Sequence, residues 1–214
     1  MPNDSQVTRA TRNPDRTRAQ ILAAARDEFS LRGYEGARVE AIAERAGSNK
    51  RMLYYYFRSK DELFLAVMED TYRGIRDAEA ELRLLDLPPI DAIRALVTFT
   101  WEYYLAHPEF LSLLNSENLY HAQHLRRSTD IRSLNSPLID TLGEILARGH
   151  REKLFRGGVD PLQLYISIAA LGYFYLSNNA TLCTVFGRDL ATPKARLERL
   201  QHMIDMVLGY LLIG

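Results

Sequence analysis

The sequence predicts an all-α protein. Apolar residues recur at helical spacing almost everywhere from Asp15 onward, and strand signals are scarce, with no Asn-Gly pair between alternating runs. The chain has 214 residues, 47% hydrophobic and 25% charged, enough for a substantial core in one or two domains. Its longest strongly apolar stretch, residues 162–176, is shorter than the roughly 20 residues a membrane helix needs and contains Gln163 and Ser167. No membrane span is therefore expected. The N-terminus is polar and arginine-bearing, unlike a secretory signal. The single cysteine, Cys183, excludes an internal disulfide and a cysteine-based zinc site, so a reducing cytoplasm is the expected setting.

Residues 1–14 lack periodicity and carry Arg9 and Arg12, so a flexible basic arm is expected there. A first helix follows over about 15–31, because Ile21, Leu22, Ala25 and Phe29 form one stripe and Arg32-Gly33 supplies a stop. Val39, Ile42, Ala43 and Ala46 give a short second helix closed by Gly47. Asn49 can cap a third, which Leu53 and Phe57 anchor at i, i+4 before it ends near Phe57. Ser59 with Glu62 is a capping-box pattern opening a long fourth helix, with Leu63, Phe64, Val67, Met68, Tyr72 and Ile75 as its apolar positions. Pro88-Pro89 ends this region. Ile93, Val97, Trp101 and Tyr104 then share a face up to His107-Pro108, and Pro108 leads into a helix over 109–119. Residues 120–128 read as irregular. A helix over about 129–153 has Pro137 as a possible kink, and Gly157-Gly158 marks the next boundary. The helix over 162–176 is apolar nearly all round, as expected of burial on more than one side. In the last helix, about 192–213, Leu197, Leu200, Ile204, Val207 and Leu211 follow a heptad-like seam.

Zero net charge conceals a segregation. Residues 1–60 hold 12 Lys+Arg against 7 Asp+Glu, and residues 61–214 hold 15 against 20. A basic N-terminal portion on an acidic remainder suggests one face for a polyanion. The second and third helices, separated only by Gly47-Ser48-Asn49, match a helix-turn-helix whose second member enters the DNA major groove. The exposed positions of that member are Lys50, Arg51, Tyr54 and Tyr55, where a solvated helix would more often carry Glu. Arg51 can bond bidentately to guanine O6 and N7, and Lys50 and the tyrosine hydroxyls can reach base edges or phosphates. A three-helix bundle that is merely basic would show the same spacing.

The run GYEGARVEAIAERAGSNKRMLYYYFRSKDELF, residues 33–64, resembles the DNA-binding signature of the TetR family of bacterial transcriptional regulators. The shared features are a glycine-aromatic turn, an I-A-x-x-A-G helix, an L-Y-x-Y-F recognition helix and S-K-x-x-L; they span residues 15–65 or so. The resemblance implies that Lys50, Arg51 and Tyr54 face base edges, and that Tyr56 and Lys60 meet phosphate, the latter aided by a helix N-terminus. Asn49 and Tyr55 complete the expected DNA-binding set with Arg38. The family's frequent threonine before the second helix is Ala37 here, so the Arg38 guanidinium is expected to replace a hydroxyl. Ser48 replaces a small apolar residue in the turn. Arg51 replaces a common glycine and enlarges the reading surface.

The resemblance implies residues 15–60 as DNA-binding domain and 61–214 as ligand-binding and dimerisation domain, with helix 61–85 as connector. It implies a homodimer on a palindromic operator, released by a small-molecule effector, with no cofactor and no membrane partner. Leu164, Ile168 and Leu171, with the seam Leu197, Leu200, Ile204, Val207 and Leu211, are the expected dimer contacts; the same faces could fill a monomer core. Trp101, Tyr103, Tyr104, Asn118, Tyr120, Tyr173 and Asn178 are the candidate effector contacts, although aromatics at helical spacing also serve as core. His121 and His124 stand at i, i+3 with no cysteine or carboxylate cluster beside them in sequence, and no metal is expected. G-x-S-x-G, H-E-x-x-H, phosphate-loop and dinucleotide signatures are absent, which argues against an enzyme. An all-α binding protein without effector is the remaining rival.

Overall fold

A computed structural model describes residues 14–213, so the expected basic arm falls almost wholly outside the described residues. These residues form ten α-helices: α1 Pro14–Gly36, α2 Val39–Arg45, α3 Lys50–Phe57, α4 Lys60–Ala80, α5 Pro89–Ala106, α6 Pro108–Leu119, α7 Ile131–Arg151, α8 Pro161–Ser177, α9 Asn179–Phe186 and α10 Pro193–Leu211. Short 3-10 turns lie at Leu84–Asp86 and Leu125–Arg127. No described helix is long and apolar enough to cross a membrane. The chain divides into two compact units, with the boundary between Val67 and Met68 inside α4.

In the first unit, α1 breaks its helical path at Gly33 (φ 68°, ψ 176°), a backbone conformation that glycine adopts without steric cost. The apolar stripe foreseen for α1 is buried through Ile21, Ala25 and Phe29. Phe29 meets Phe64 edge-on at 4.9 Å, and Tyr34 meets Phe64 at 5.2 Å. Ile42, Leu53 and Leu63, all 0% exposed, close this core, and each such side chain contributes roughly 1.5–3 kcal/mol on burial.

In the second unit α5 packs against α6, α7, α8 and α10. Its inward positions Ile93, Leu96, Val97 and Trp101 meet Leu142 and Ile145 of α7, Ile168 of α8, and Met203 and Val207 of α10. Phe155 follows α7 and folds back onto Gly149, where a Cβ would stand 2.1 Å from the ring, so only glycine admits that close approach. The strand-like pairing of Phe155 with Leu212 and the bond from Arg156 N to Leu211 O (2.8 Å) tie down the end of α10.

Two expectations differ from the structure, and one element is additional. The helix over 162–176, expected to be buried on more than one side, buries one side within the described residues: Leu164, Ile168 and Gly172 face the core, and Leu162, Ile166 and Phe174 are about half exposed. The α10 seam turns inward, with Ile204, Val207 and Leu211 inside the protomer's own core and Leu197 exposed. Periodicity identifies a buried stripe without saying whether the chain itself or a partner buries it. The additional element is α9, which has no apolar periodicity of its own in the sequence. It is a two-turn helix with no buried residue, and its apolar side chains Val185 and Phe186 are exposed, so it presents no inward stripe to read.

Candidate functional site

The short connection between α2 and α3 is built by local chemistry. Gly47 takes φ 58°, Ser48 N donates to Ala43 O (2.9 Å), and the Asn49 side chain accepts from Met52 N (3.0 Å), capping α3. Leu53 and Phe57 fix one face of α3 to the core. That fixes the other face outward: Lys50, Arg51, Tyr54 and Tyr55 are exposed, Tyr55 at 75%. Ser59 Oγ accepts from Glu62 N (3.1 Å) at the start of α4, the first half of the foreseen capping box.

Arg58 links α3 to α4 at φ 61° and ψ −46°, where Ser59 N donates back to Phe57 O at 2.6 Å. This is a γ-turn of the strained kind, and it keeps the two helices close in sequence. Lys50 Nζ donates to Glu40 Oε1 (2.7 Å) and lies 5.8 Å from the Tyr54 ring centre. Their mutual hydrogen bond holds the Glu40 carboxyl below its usual range and the Lys50 ammonium above its own. Arg38 is the exposed N-cap residue of α2, its backbone N directed to Glu28 Oε1 (3.4 Å). Tyr56 is half-buried against Tyr55. Lys60 Nζ donates to Glu35 O (3.2 Å) and lies 4.8 Å over the Tyr34 ring. The α3 face thus offers a guanidinium, an ammonium and phenol hydroxyls on a rigid helix, chemistry suited to base edges and phosphates.

Of the candidate effector residues, Tyr104 is buried in one apolar cluster with Phe110, against which Tyr103 and Tyr173 also pack, whereas Trp101 belongs to the main core. Trp101 is 2% exposed and packs edge-on to Tyr175 (5.7 Å) in the main core. Asn118 and Asn178 bond back to the carbonyls of Leu114 and Phe174 on their own helices. Tyr103 lies tilted beside His107, ring centres 4.2 Å apart, and Tyr120 lies beside His124. Tyr104 is buried against Phe110, and the Tyr173 hydroxyl bonds Asn115.

His121 and His124 do not share a metal site. The segment is not helical, His121 has φ 53° and is exposed, and His124 is buried with Nδ1 2.7 Å from Glu117 Oε2. Glu117 Oε1 also accepts from His124 N and Leu125 N, both 2.9 Å, so this carboxylate organises the turn after α6.

A different polar cluster occupies the second unit. Arg76 is 9% exposed; its Nη2 donates to Tyr165 Oη (3.1 Å) and its Nη1 lies 2.9 Å from Glu79 Oε2. Burial outweighs the attraction of Arg76 and pushes the Glu79 carboxyl up to about 7. Burial likewise pushes the Tyr72 phenol up to about 12 and raises that of Tyr104. Arg76 and Glu79 line a cleft of about 560 Å³ with the Leu84–Asp86 turn and the start of α7. The sequence reading missed both residues, but a signal existed: Met68, Tyr72, Ile75 and Glu79 step by 4, 3 and 4, so Glu79 continues the inward stripe of α4.

A second groove, about 500 Å³, runs between α8 and α10, with Leu164, Leu171 and Val207 among its lining and Phe174, Met206 and Tyr210 exposed beside them. Of the expected dimer contacts, Leu164, Ile168, Ile204, Val207 and Leu211 are thus protomer core. Leu171 and Leu200 are half-buried and Leu197 is exposed.

Comparison with known proteins agrees with this architecture. Residues 21–67 match the model for bacterial regulatory proteins of the tetR family, and residues 89–207 match a tetracyclin repressor-like C-terminal domain. The chain is 43% identical over 194 residues to the HTH-type transcriptional repressor NicS of Pseudomonas putida, covering 91% of this chain and 92% of that one. It is 35% identical over 192 residues to the HTH-type transcriptional regulator RutR of Escherichia coli, covering 86% of each. The crystal structure of the regulator SCO4942 from Streptomyces coelicolor shares the fold, with a TM-score of 0.68 at 23% identity over 91% of this chain and 98% of that one. With a helix-turn-helix that carries the reading face and a helical domain matched over most of its length, the chain belongs to the TetR family of DNA-binding transcriptional regulators and is not an enzyme.

Proposed function

We propose that the protein is a homodimeric repressor that occupies a palindromic operator in the bacterial cytoplasm and is released by a small-molecule effector bound in its second unit. The observation that carries this reading is the outward face of α3, where Lys50, Arg51, Tyr54 and Tyr55 stand on a helix fixed by Leu53 and Phe57. Lys50, Arg51 and Tyr54 read bases, and Arg38, Tyr56 and Lys60 take phosphates. Asn49 positions the helix, and Tyr55 extends the contact. One such helix reads only a few base pairs, so two related by a dyad supply useful specificity.

The second copy docks on the exposed apolar stripe of α8 (Leu162, Ile166, Phe174) and α10 (Met206, Tyr210). These side chains, not the inward seam, are the dimer contacts, because they are apolar and otherwise lie in water. Release is a population shift: the effector binds better to a conformation whose recognition helices no longer match successive grooves, and α4, continuous across both units, transmits the change.

Selection of bound fragments from a genomic DNA pool at about 150 mM salt tests this, since non-specific phosphate binding is weakened there. The reading expects a palindrome with two half-sites, and a Phe174→Glu variant that sediments as a monomer and loses it. Recovery of no enriched sequence, or of a single half-site bound by a monomer, contradicts the reading.

A further inference from the structure

We propose that the effector is a monocarboxylate with an apolar body, and that Arg76 takes its carboxylate. This rests on the effector-released reading above and gives its effector a chemical class. An arginine remains charged under all ordinary conditions, so α4 places a permanent positive charge inside the second unit. Its hydrogen bonding is incomplete. Nη2 serves Tyr165, Nη1 approaches Glu79 without hydrogen-bond geometry, and the buried Nε has no partner. A buried charged donor left unmet is costly, so a group that completes the guanidinium fork binds with that energy in its favour. A carboxylate taken side-on by Nε and the neighbouring Nη fits this edge in charge and in geometry.

The surroundings supply the remainder of the recognition. The cleft of about 560 Å³ lies within the size range of small-molecule sites. Leu84, Leu134 and Leu138 are in its wall and offer contact to an apolar body. The groups facing Arg76 electrostatically are Glu79 and Tyr72 on its own helix, with Tyr104 from α5 and Tyr165 from α8. Glu117 of α6 and Tyr173 of α8 act on Tyr72, and Asp77, Arg83 and Asp86 lie along the cleft. Glu79 lies against Nη1, so a carboxylate on the Nε edge brings a second negative charge to the same buried guanidinium. An arriving carboxylate shares the guanidinium with Glu79, and the Glu79 carboxyl, already poorly solvated and now facing a like charge, takes up a proton.

Full-length protein is titrated by calorimetry with benzoate and benzamide, and with hexanoate and hexanamide, at about pH 6, 7 and 8. Each acid is expected to bind at least about tenfold more tightly than its amide, the value of one charge-assisted hydrogen bond. Acid affinity should fall towards about tenfold per pH unit above neutrality, as Glu79 must then acquire its proton from solution. Arg76→Gln should lose the preference for acids while still binding the selected operator, which shows that it is folded. Glu79→Gln should keep the preference and lose the pH dependence. Equal binding of acids and amides, retention of the preference in Arg76→Gln, or no binding of either acid at about 20 mM overturns the proposal; the highest concentration is set by the weakest affinity expected of so small a ligand. Operator release by an uncharged compound would remove the anion and leave the repressor reading standing, whereas failure to select any operator would remove the latter independently.

Discussion

The two units treat their polar groups differently: the first leaves them in solvent, and the second buries them. In the first, Lys50, Arg51, Tyr54 and Tyr55 stand in solvent on a helix anchored by apolar side chains, and the buried Glu28 accepts a hydrogen bond from the Arg38 backbone N. In the second, Arg76, Glu79, Glu117 and His124 are all buried, each beside another charged or polar group. A surface that meets a polyanion of uniform geometry can keep its donors hydrated until contact. A site that discriminates among small molecules must remove its donors from water in advance and accept the desolvation cost.

The sharpest way to test that difference is with pH. Glu79 is raised from its ordinary 4.5 to about 7, so between those values the folded protein holds a proton that the unfolded chain has released. Stability therefore falls as pH rises through this window and levels off above about 7, by up to about 3 kcal/mol at 1.36 kcal/mol per pH unit. Urea titrations from about pH 5 to pH 8 should show this decline, and Glu79→Gln should flatten it. A wild-type curve that is level across the window would mean that Glu79 is ionised throughout.

Next in size is Gly149→Ala. Alanine is the better helix former, yet its Cβ would stand 2.1 Å from Phe155 Cδ2. Overpacking should prevail and cost about 1–3 kcal/mol, measurable as a lower urea midpoint of the second unit. The smallest effect is expected in the first unit, where Asn49→Ala removes the cap on α3 and should cost about 1 kcal/mol. Its operator affinity should fall with helix order, and a variant as stable as the parent would show that Leu53 and Phe57 alone hold α3.

The contrast between the units also explains what the sequence makes legible. The α2–α3 arrangement follows from rules acting over a few residues: a positive-φ glycine, an Asn cap, an i, i+4 anchor and a Ser59 cap. Each leaves a local signature, and each recurs in the structure. The second unit depends on which helix covers which stripe. Ile204 and Leu211 and the exposed Phe174 and Tyr210 are equally apolar in sequence, and only packing on α5 separates core from outward face. Trp101 carries the same ambiguity, because large aromatics suit both cavities and cores; here it packs in the main core. Arg76 and Glu79 are hard to read because a charged pair at i, i+3 on a helix is usually a solvated one, and only the inward phase of α4 marks them as otherwise.

The central claim is that the outward face of α3 reads base sequence, and Arg51 is its most discriminating group. The most direct measurement is competition binding of the parent and Arg51→Ala to the selected operator and to a scrambled duplex at equal salt. The account predicts that the variant loses about 1–3 kcal/mol of operator binding and little of its scrambled-duplex binding, so that discrimination shrinks. An unchanged ratio between the two duplexes would contradict it.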